Sequence, residues 1–220
     1  MVKRSAVAAM GLLLGISALG SAQVGISVRA GTLGVGGELS IRPSRLIGLR
    51  AGGNYFSVTR SATIEGIAYQ LQAELKNGTA ILDLHPFGGS FHLSGGVVWN
   101  SNQGAVQAQL TGPVTIGAQT YQPAEIGALT GLVNYSERYA PYAGLGFGGR
   151  GRVSFLFDLG VVFSGFPQVS LTGAPTLTGQ AKAVFDQNVL QEVQEIQNQI
   201  ESRQYLKYTP VVSLGLRVGF

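Results

Sequence analysis

Apolar and polar residues alternate along most of this chain, and the pattern is clearest in its last nine residues. One face there carries only apolar side chains, and the other carries only small or charged ones. The apolar positions are Val212, Leu214, Leu216, Val218 and Phe220. Because side chains in a strand point alternately to opposite faces, this segment predicts a β-strand with one wholly apolar face. Residues 153–163 repeat the pattern.

Alternating runs of this kind recur with turn residues between them, which predicts an all-β fold of about eight strands. The runs cover residues 24–42, 46–59, 67–84, 91–100, 126–135, 142–148, 153–163 and 208–220. Residues 101–122 form a long polar stretch, in which we predict a small hairpin at Val114–Tyr121. Within the third run, the apolar positions shift from odd to even numbers, and we therefore predict a β-bulge near Asn77 and Gly78.

One segment follows a different period. Residues 180–204 carry Val189, Val193, Ile196 and Ile200 at helical spacing, opposite a face of Gln, Asn and Glu. We predict a solvent-exposed amphipathic helix, inserted before the last strand. The alternatives are a plug in the lumen or a helix that binds a partner.

The N-terminus predicts export. Lys3 and Arg4 precede an apolar stretch from Ala6 to Leu19, and small residues follow, so we predict a signal peptide over residues 1–22 and a mature domain over 23–220. There is no cysteine, charged residues make up 12% of the chain, and the 33 glycines are about twice the average share. Few charges and a positive mean hydropathy suit strands whose apolar side chains face lipid.

The export signal, the alternating strands and the terminal Phe220 together resemble the small bacterial outer-membrane β-barrel proteins. The resemblance implies a closed antiparallel transmembrane β-barrel in the outer membrane of a Gram-negative envelope. It also implies outer-membrane lipid and lipopolysaccharide as surroundings. Phe220 would then be the assembly signal that the barrel assembly machinery reads. We see no basic patch for nucleic acid.

The sequence pattern leaves two alternatives for the number of strands, eight and ten. With eight strands as assigned, the long 101–122 stretch falls on the periplasmic side, against the rule that the short turns lie there. With ten strands, the first run is a hairpin that turns near Thr32–Gly34, and a further strand lies near Val169–Thr178. We keep eight as the first choice, because the added strands would be short for spanning a membrane.

The inward faces of these strands carry few charges, which we predict to form a polar network in the lumen. Its predicted members are Arg50, Glu74, Asp83, His92, Asp158 and Arg217. Within it, we expect Asp158 and Arg217 to form an ion pair, since a lone buried charge is costly. Aromatic residues near strand ends are expected to lie at the membrane interfaces. They are Tyr55, Tyr69, Trp99, Tyr135, Tyr142 and Phe220.

One pair suggests an enzyme. His92 and Ser94 lie two residues apart, and the spacing is similar to the His-x-Ser motif of outer-membrane lipid A deacylases. That family places its pair toward lipid, whereas here Phe91 and Leu93 take the lipid side. We therefore expect no enzymatic activity, and no metal or cofactor, in a chain with two histidines and no cysteine. The expected role is structural, binding or limited small-solute permeation, and the alternative is a lipid-modifying enzyme.

Overall fold

The chain folds into a closed antiparallel β-barrel of eight strands, which carries a folded extension at one end. The computed structural model describes residues 23–64, 67–149 and 151–220, so the predicted signal peptide lies outside the described residues. The barrel strands are β1 Gln23–Gly31, β2 Gly34–Arg42, β3 Ile47–Ile64, β4 Ile67–Leu84, β5 Phe91–Asn100, β10 Tyr139–Gly148, β11 Val153–Phe163 and β13 Tyr208–Gly219. Pairing of β1 with β13 and of β4 with β5 completes the ring.

Five further strands and two helices build the extension. The strands are β6 Gln103–Gln109, β7 Val114–Ile116, β8 Gln119–Tyr121, β9 Leu129–Tyr135 and β12 Pro167–Gly173. Helix α1 spans Pro123–Ile126, helix α2 spans Gly179–Ser202, and a short 3-10 helix at Gln204–Lys207 leads into β13. The structure thus confirms a helix before the last strand, and the predicted small hairpin is β7 and β8. No helix in the described parts of the chain is long and apolar enough to cross a membrane.

The predicted count of eight barrel strands is confirmed, but two of the eight differ from the prediction. The first run is a hairpin, because the chain reverses at Thr32 and Leu33 and Gly34 adopts a left-handed φ of 109°. The Thr32 hydroxyl donates to the Pro210 carbonyl at 3.0 Å and ties this turn to β13. The fifth run, β9, lies outside the barrel and pairs with β6 and β12.

The extension continues the strands of one side of the barrel. β6 prolongs β5 along β4, β9 runs into β10, and β12 prolongs β11. Residues 136–138 therefore connect β9 to β10 without reversing the direction of the chain. We call the upper parts of β3 and β4, with β6, β9 and β12, the side wall.

This arrangement removes the conflict over loop lengths. Both described chain ends lie at one end of the barrel, the terminus end, together with the short turns at residues 43–46 and 85–90 and the short connection from β10 to β11. The opposite end, the loop end, carries the side wall, the helices and the long connections. Outer-membrane barrels place short turns in the periplasm and long loops outside, so the loop end corresponds to the end at which such barrels carry their extracellular loops.

The predicted bulge at Asn77 and Gly78 is wrong, since β3 and β4 pair without interruption over all 18 residues of each strand. The apolar residues change from even-numbered to odd-numbered positions there because the strand leaves the barrel. Below this point the outward positions are apolar, as at Leu82 and Leu84. Above it the apolar positions lie on the inner face, as at Leu71 and Leu75, and the outer face carries Gln and Thr. The change of phase marks the rim of the barrel.

Exposed apolar side chains cover the outside of the barrel and form the surface expected for contact with lipid. They include Ile26, Val28, Leu39, Leu49, Leu82, Leu93, Leu145, Leu159, Leu214 and Leu216. Exposed aromatic residues border this surface at both ends. At the loop end these are Tyr55, Trp99, Tyr139, Phe163 and Tyr208, and at the terminus end they are Phe87, Phe147, Phe155 and Phe220.

Three predicted interfacial aromatics, Tyr55, Trp99 and Phe220, therefore lie where expected. Tyr142 does not, because its side chain points into the lumen and is only 5% exposed. Tyr69 and Tyr135 are half-buried in the side wall, beyond the rim of the barrel.

Inside the side wall, α1, α2 and the β7–β8 hairpin pack around a separate apolar core. We call these three elements the cap. The buried residues of this core are Ile116, Tyr121, Ile126, Phe185 and Val189, and Leu129 and Leu171 of the side wall pack against them. Val193, Ile196 and Ile200 of α2 are half-buried, so the helix is attached by its apolar face.

Candidate functional site in the barrel lumen

Six ionisable side chains from different strands meet in the middle of the barrel. They are Arg29 of β1, Glu38 of β2, Arg50 of β3, Asp83 of β4, His92 of β5 and Asp158 of β11, and each is at most 8% exposed. We call these six the ion-pair layer. They converge because alternation turns one face of every strand inward.

Arg50 is the centre of this layer. Its guanidinium donates to Asp83 through two bonds, from Nε to Oδ2 at 2.5 Å and from Nη2 to Oδ1 at 2.9 Å. It also contacts Asp158 Oδ1 at 3.2 Å and Glu38 Oε2 at 3.4 Å. Planar guanidinium groups suit such multiple contacts with carboxylates.

The second arginine completes the layer. Arg29 Nε donates to Glu38 Oε1 at 3.0 Å, and Arg29 Nη1 donates to Asp158 Oδ2. His92 Nε2 lies 3.0 Å from the other oxygen of Asp158 and 4.0 Å from Asp83 Oδ1. Each buried charge therefore has an opposite charge or a hydrogen-bond partner, as burial at low dielectric requires.

The two remaining barrel strands, β10 and β13, lie beside the layer. Gly146 on β10 leaves room for the side chains of Asp158 and His92, since a Cβ at this position would lie 2.6 Å from both Asp158 Oδ1 and His92 Nε2. On β13, Ser213 Oγ accepts a hydrogen bond from Arg29 Nη1 at 3.3 Å. All eight strands thus contribute to the cross-section at this level.

The layer divides the lumen. A cavity of about 40 Å³ lies on its loop-end side, between Arg50 and the apolar residues Ile81, Val98 and Tyr142. A cavity of about 50 Å³ lies on the terminus-end side, next to Arg42, His85 and Arg217. Each has room for one or a few water molecules. Toward the loop end, a buried apolar cluster fills the lumen further, with Val162 and Val211 in addition to those three residues.

Two predicted members of the network do not belong to the layer. Glu74 lies on β4 above the rim, opposite Gln103 of β6 and on the outer face of the side wall, so its placement in the lumen is wrong. Arg217 is buried in the lumen as predicted, but its Nε donates to Ser40 Oγ at 3.1 Å. The other four predicted residues, Arg50, Asp83, His92 and Asp158, are in contact with one another.

The predicted ion pair between Asp158 and Arg217 is wrong. Across the β11–β13 ladder, Asp158 stands opposite Ser213, while Arg217 stands opposite Ser154, four residues nearer the terminus end. Asp158 instead pairs with Arg29 and Arg50.

Sequence reasoning missed Arg29 and Glu38, although a signal was present. The apolar positions are even in Val24, Ile26 and Val28 but odd in Val35, Leu39 and Ile41. In this run the change of phase falls on either side of the Thr32–Gly34 turn, and the hairpin then places Arg29 and Glu38 diagonally across β1 and β2 on the inward face.

His92 and Ser94 both point inward, away from lipid, as their spacing predicted. Ser94 Oγ donates to Asp83 Oδ1 at 2.6 Å and accepts from Arg50 Nη2 at 3.2 Å. The hydroxyl proton of Ser94 is therefore directed to Asp83, and the imidazole of His92 is directed to Asp158. In the described part of the chain, no group of three or more His, Asp and Glu residues has a metal-binding arrangement.

No protein-family model and no curated protein matches this chain. Its fold is similar to the crystal structures of CarO2 and CarO from Acinetobacter baumannii, both with a TM-score of 0.59. The sequence identities are 22% and 21%, and the alignments cover 90% of this chain and 98% and 97% of those chains. A major outer membrane protein from Thermus thermophilus is less similar, with 16% identity, a TM-score of 0.43 and coverage of 91% and 100%.

The similarity to CarO2 and CarO, at these identities, concerns the fold. They are bacterial outer-membrane β-barrel proteins. The closed barrel, its apolar exterior and its two aromatic borders, together with this similarity of fold, show the architecture of an integral outer-membrane β-barrel protein.

Proposed function

We propose that this protein is a non-enzymatic anchor, whose sealed barrel holds a folded side wall and cap outside the membrane for binding. The observation that carries the proposal is the ion-pair layer, which six strands build and against which the other two strands, β10 and β13, pack. Small barrels of about eight strands have interiors that side chains can fill. The fixed charges and the apolar cluster above them leave cavities for water rather than a path for solutes.

The extramembrane part supports a binding role. Five strands, both α-helices of the described chain and the upper parts of β3 and β4 build the side wall and the cap, which have an apolar core of their own. An extramembrane structure of this size needs an apolar core of its own. A barrel that acted only as a membrane anchor would not require such a structure. Binding partners are therefore expected to meet the loop end.

Conductance measurements test the seal. The purified protein, reconstituted in planar bilayers, should give no stable conductance steps, and liposomes containing it should not swell in small sugars. A general porin, reconstituted in parallel, is the positive control. Reproducible steps from the wild-type protein would contradict the sealed barrel and support limited small-solute permeation.

The enzyme alternative has a separate test. Purified protein incubated with lipopolysaccharide should release no fatty acid, and lipid A from a deletion strain should be unchanged. Release that is lost in Ser94→Ala would overturn the non-enzymatic assignment. Ser94→Ala can be checked for correct folding by its heat-modifiable migration in gels.

A further inference from the structure

The sheet of the side wall has two edges, and they differ in how they are covered. At the β12 edge, the carboxamide of Gln197 on α2 takes the place of a neighbouring strand. Its Oε1 accepts from the Val169 N–H at 3.3 Å, and its Nε2 donates to the Pro167 carbonyl at 3.2 Å. At the other edge, β2 pairs with β3 only as far as Tyr55, and among the described residues no strand pairs with the rest of β3 on that side.

The backbone of β3 directs its free hydrogen-bonding groups to that side. Lys76 on β4 donates its N–H to Asn102 Oδ1 and accepts at its C=O from the Ser101 N–H, both at 2.9 Å, so its backbone faces away from β3. Tyr55 stands directly opposite Lys76, and its backbone therefore faces away from β4. Because these groups alternate along a strand, the odd-numbered residues that follow present N–H and C=O groups to the uncovered side. They are Ser57, Thr59, Ser61 and Thr63.

We call residues 57–63 the open edge. At about 3.4 Å per residue, it is about 20 Å long. An unpaired edge of this length is a template for pairing with another extended chain.

The two faces of the sheet beside the open edge differ in chemistry. The outer face carries the exposed hydroxyl side chains of the odd-numbered residues. On the inner face, Phe56 is 45% exposed and Leu71 of β4 is 42% exposed, while Val58 is half-buried. Arg60 lies among them, exposed and directly opposite Leu71 in the β3–β4 ladder. A chain added here would place alternate side chains next to apolar residues and one cation.

The charge of Arg60 is available to such a chain. Within residues 23–64, 67–149 and 151–220, Arg60 forms no ion pair with a carboxylate. Glu74 on β4 stands opposite Ser57 and points to the outer face, away from Arg60. In a two-fold pair of open edges centred on Arg60, like charges would stand directly opposite each other, which destabilises a strand pair. An acidic segment is therefore a better complement than a second copy.

We propose that the open edge binds an extended, acidic segment of a partner protein as an additional β-strand. In this mode of recognition, backbone hydrogen bonds provide affinity, and alternate side chains provide specificity. A carboxylate of the segment faces Arg60, and the side chains two residues before and after it are apolar and lie on the inner face, opposite Val58 and Ala62. The inference rests on the binding role proposed above for the side wall and the cap, and it identifies the surface and the chemistry of the partner.

The experiment measures peptide binding by the full-length protein in detergent micelles. The probe is a fluorescein-labelled peptide, Thr-Val-Thr-Glu-Thr-Val-Thr with an amidated C-terminus, whose glutamate stands opposite Arg60 in an antiparallel pair. Fluorescence anisotropy should show saturable binding. N-methylation of the third and fifth peptide residues removes two N–H groups that face β3, and it should weaken binding about tenfold. This comparison uses only the wild-type protein and is independent of any folding defect.

Two protein variants locate the binding at the open edge. Thr59→Pro removes a backbone N–H from the open edge but none of the bonds to β4, and proline is tolerated at such edge positions. We expect it to weaken binding about tenfold, whereas Thr59→Val, which keeps the N–H, should bind within about twofold of the wild type. Arg60→Gln should weaken binding about fivefold and remove the preference for glutamate over glutamine in the peptide. Heat-modifiable migration checks that each barrel is folded.

Four outcomes overturn the assignment: no saturable binding, equal affinity for the N-methylated peptide, wild-type affinity in a folded Thr59→Pro protein, or a dimer in micelles that Thr59→Pro abolishes. The last would show that a second copy occupies the open edge. Bilayer conductance of the same preparation tests the proposed function separately. A sealed protein that binds no peptide overturns the assignment of the open edge alone, whereas stable conductance steps overturn the sealed anchor.

Discussion

Arg50 holds Asp83 through two parallel hydrogen bonds across neighbouring strands β3 and β4, in the middle of the barrel. The two residues are two positions out of register, because Arg50 stands opposite Ile81 and Asp83 stands opposite Gly48. The length of the arginine side chain spans this diagonal. Since Gly48 has no side chain, nothing on β3 competes for the carboxylate of Asp83.

Replacement of Arg50 should strongly destabilise the barrel. Arg50→Gln leaves Glu38, Asp83 and Asp158 buried with one arginine, and breaking a buried ion pair in this way costs about 3–5 kcal/mol. Urea unfolding in detergent micelles measures the change in the free energy of unfolding. Lys182→Gln, at a half-exposed pair in the cap, should change it by less than about 1 kcal/mol. Equal effects of the two replacements would mean that the layer does not stabilise the barrel.

Double-mutant cycles should distinguish the observed partners of Asp158 from Arg217. Asp158→Asn combined with Arg29→Gln should show a coupling free energy of about 0.5–3 kcal/mol, because the two side chains are in contact. Combined with Arg217→Gln, the effects should add within about 0.5 kcal/mol. The unfolding free energies of the single and double variants provide both values. Strong coupling to Arg217 would contradict the register of β11 and β13.

The glycine at position 146 should be required for the layer to pack. In Gly146→Ala, the new Cβ would collide with Asp158 Oδ1 and His92 Nε2, so we expect a loss of about 1–3 kcal/mol, typical of overpacking. Gly95 on β5 faces outward with open space at its Cβ position, and Gly95→Ala should therefore have little effect. Thermal unfolding, monitored by the shift in gel migration, compares the stabilities of Gly146→Ala and Gly95→Ala. A tolerated Gly146→Ala would show that His92 can move away from Asp158 without cost.

The sequence predicts the outward faces of this barrel better than its interior. A lipid-facing surface needs only apolar residues at alternate positions, and this local pattern identified the strands ending at Phe163 and Phe220. The ion-pair layer depends instead on which strands are neighbours and on their register. Alternation places Arg29 and Glu38 on the inward face only if the first run is a hairpin, and it does not give the partner of Asp158, because one strand does not show its register with the next.

The misplaced Glu74 and Tyr142 have a different cause. Alternation alone does not show where a strand crosses the rim, so it predicts a lumenal position for Glu74, which lies beyond the rim, three residues from Asn77. The frequency of aromatic residues at membrane interfaces predicts an interfacial position for Tyr142. In the structure it occupies an inward position, since Gly144 and Gly160 beside it leave space for its ring.

The cap should be able to lose its stability while the barrel stays folded. Phe185 of α2 is 2% exposed and packs edge-on against Tyr121 at 5.2 Å. Phe185→Ala should cost the cap about 3–5 kcal/mol, as for other buried phenylalanines. Leu190 on the same helix is 61% exposed, so Leu190→Ala should be nearly neutral. Limited proteolysis should show faster cleavage of α2 in Phe185→Ala, with unchanged heat-modifiable migration of the barrel. Loss of that migration would mean that cap and barrel unfold together.

The terminal aromatic should matter for assembly in cells more than for the stability of the finished barrel. Phe220 is 77% exposed, and its backbone N–H donates to the Val24 carbonyl at 2.8 Å. Phe220→Ala keeps this backbone bond and removes only an exposed ring, so refolding into detergent should remain close to normal. Phe155 is the matched control, because it is 83% exposed near the same end of the barrel but is not terminal. If the assembly machinery reads the C-terminal aromatic, Phe220→Ala should lower the yield of folded barrel in outer membranes, whereas Phe155→Ala should not. Equal yields of the two variants would show that Phe220 contributes only as one more aromatic residue at the interface.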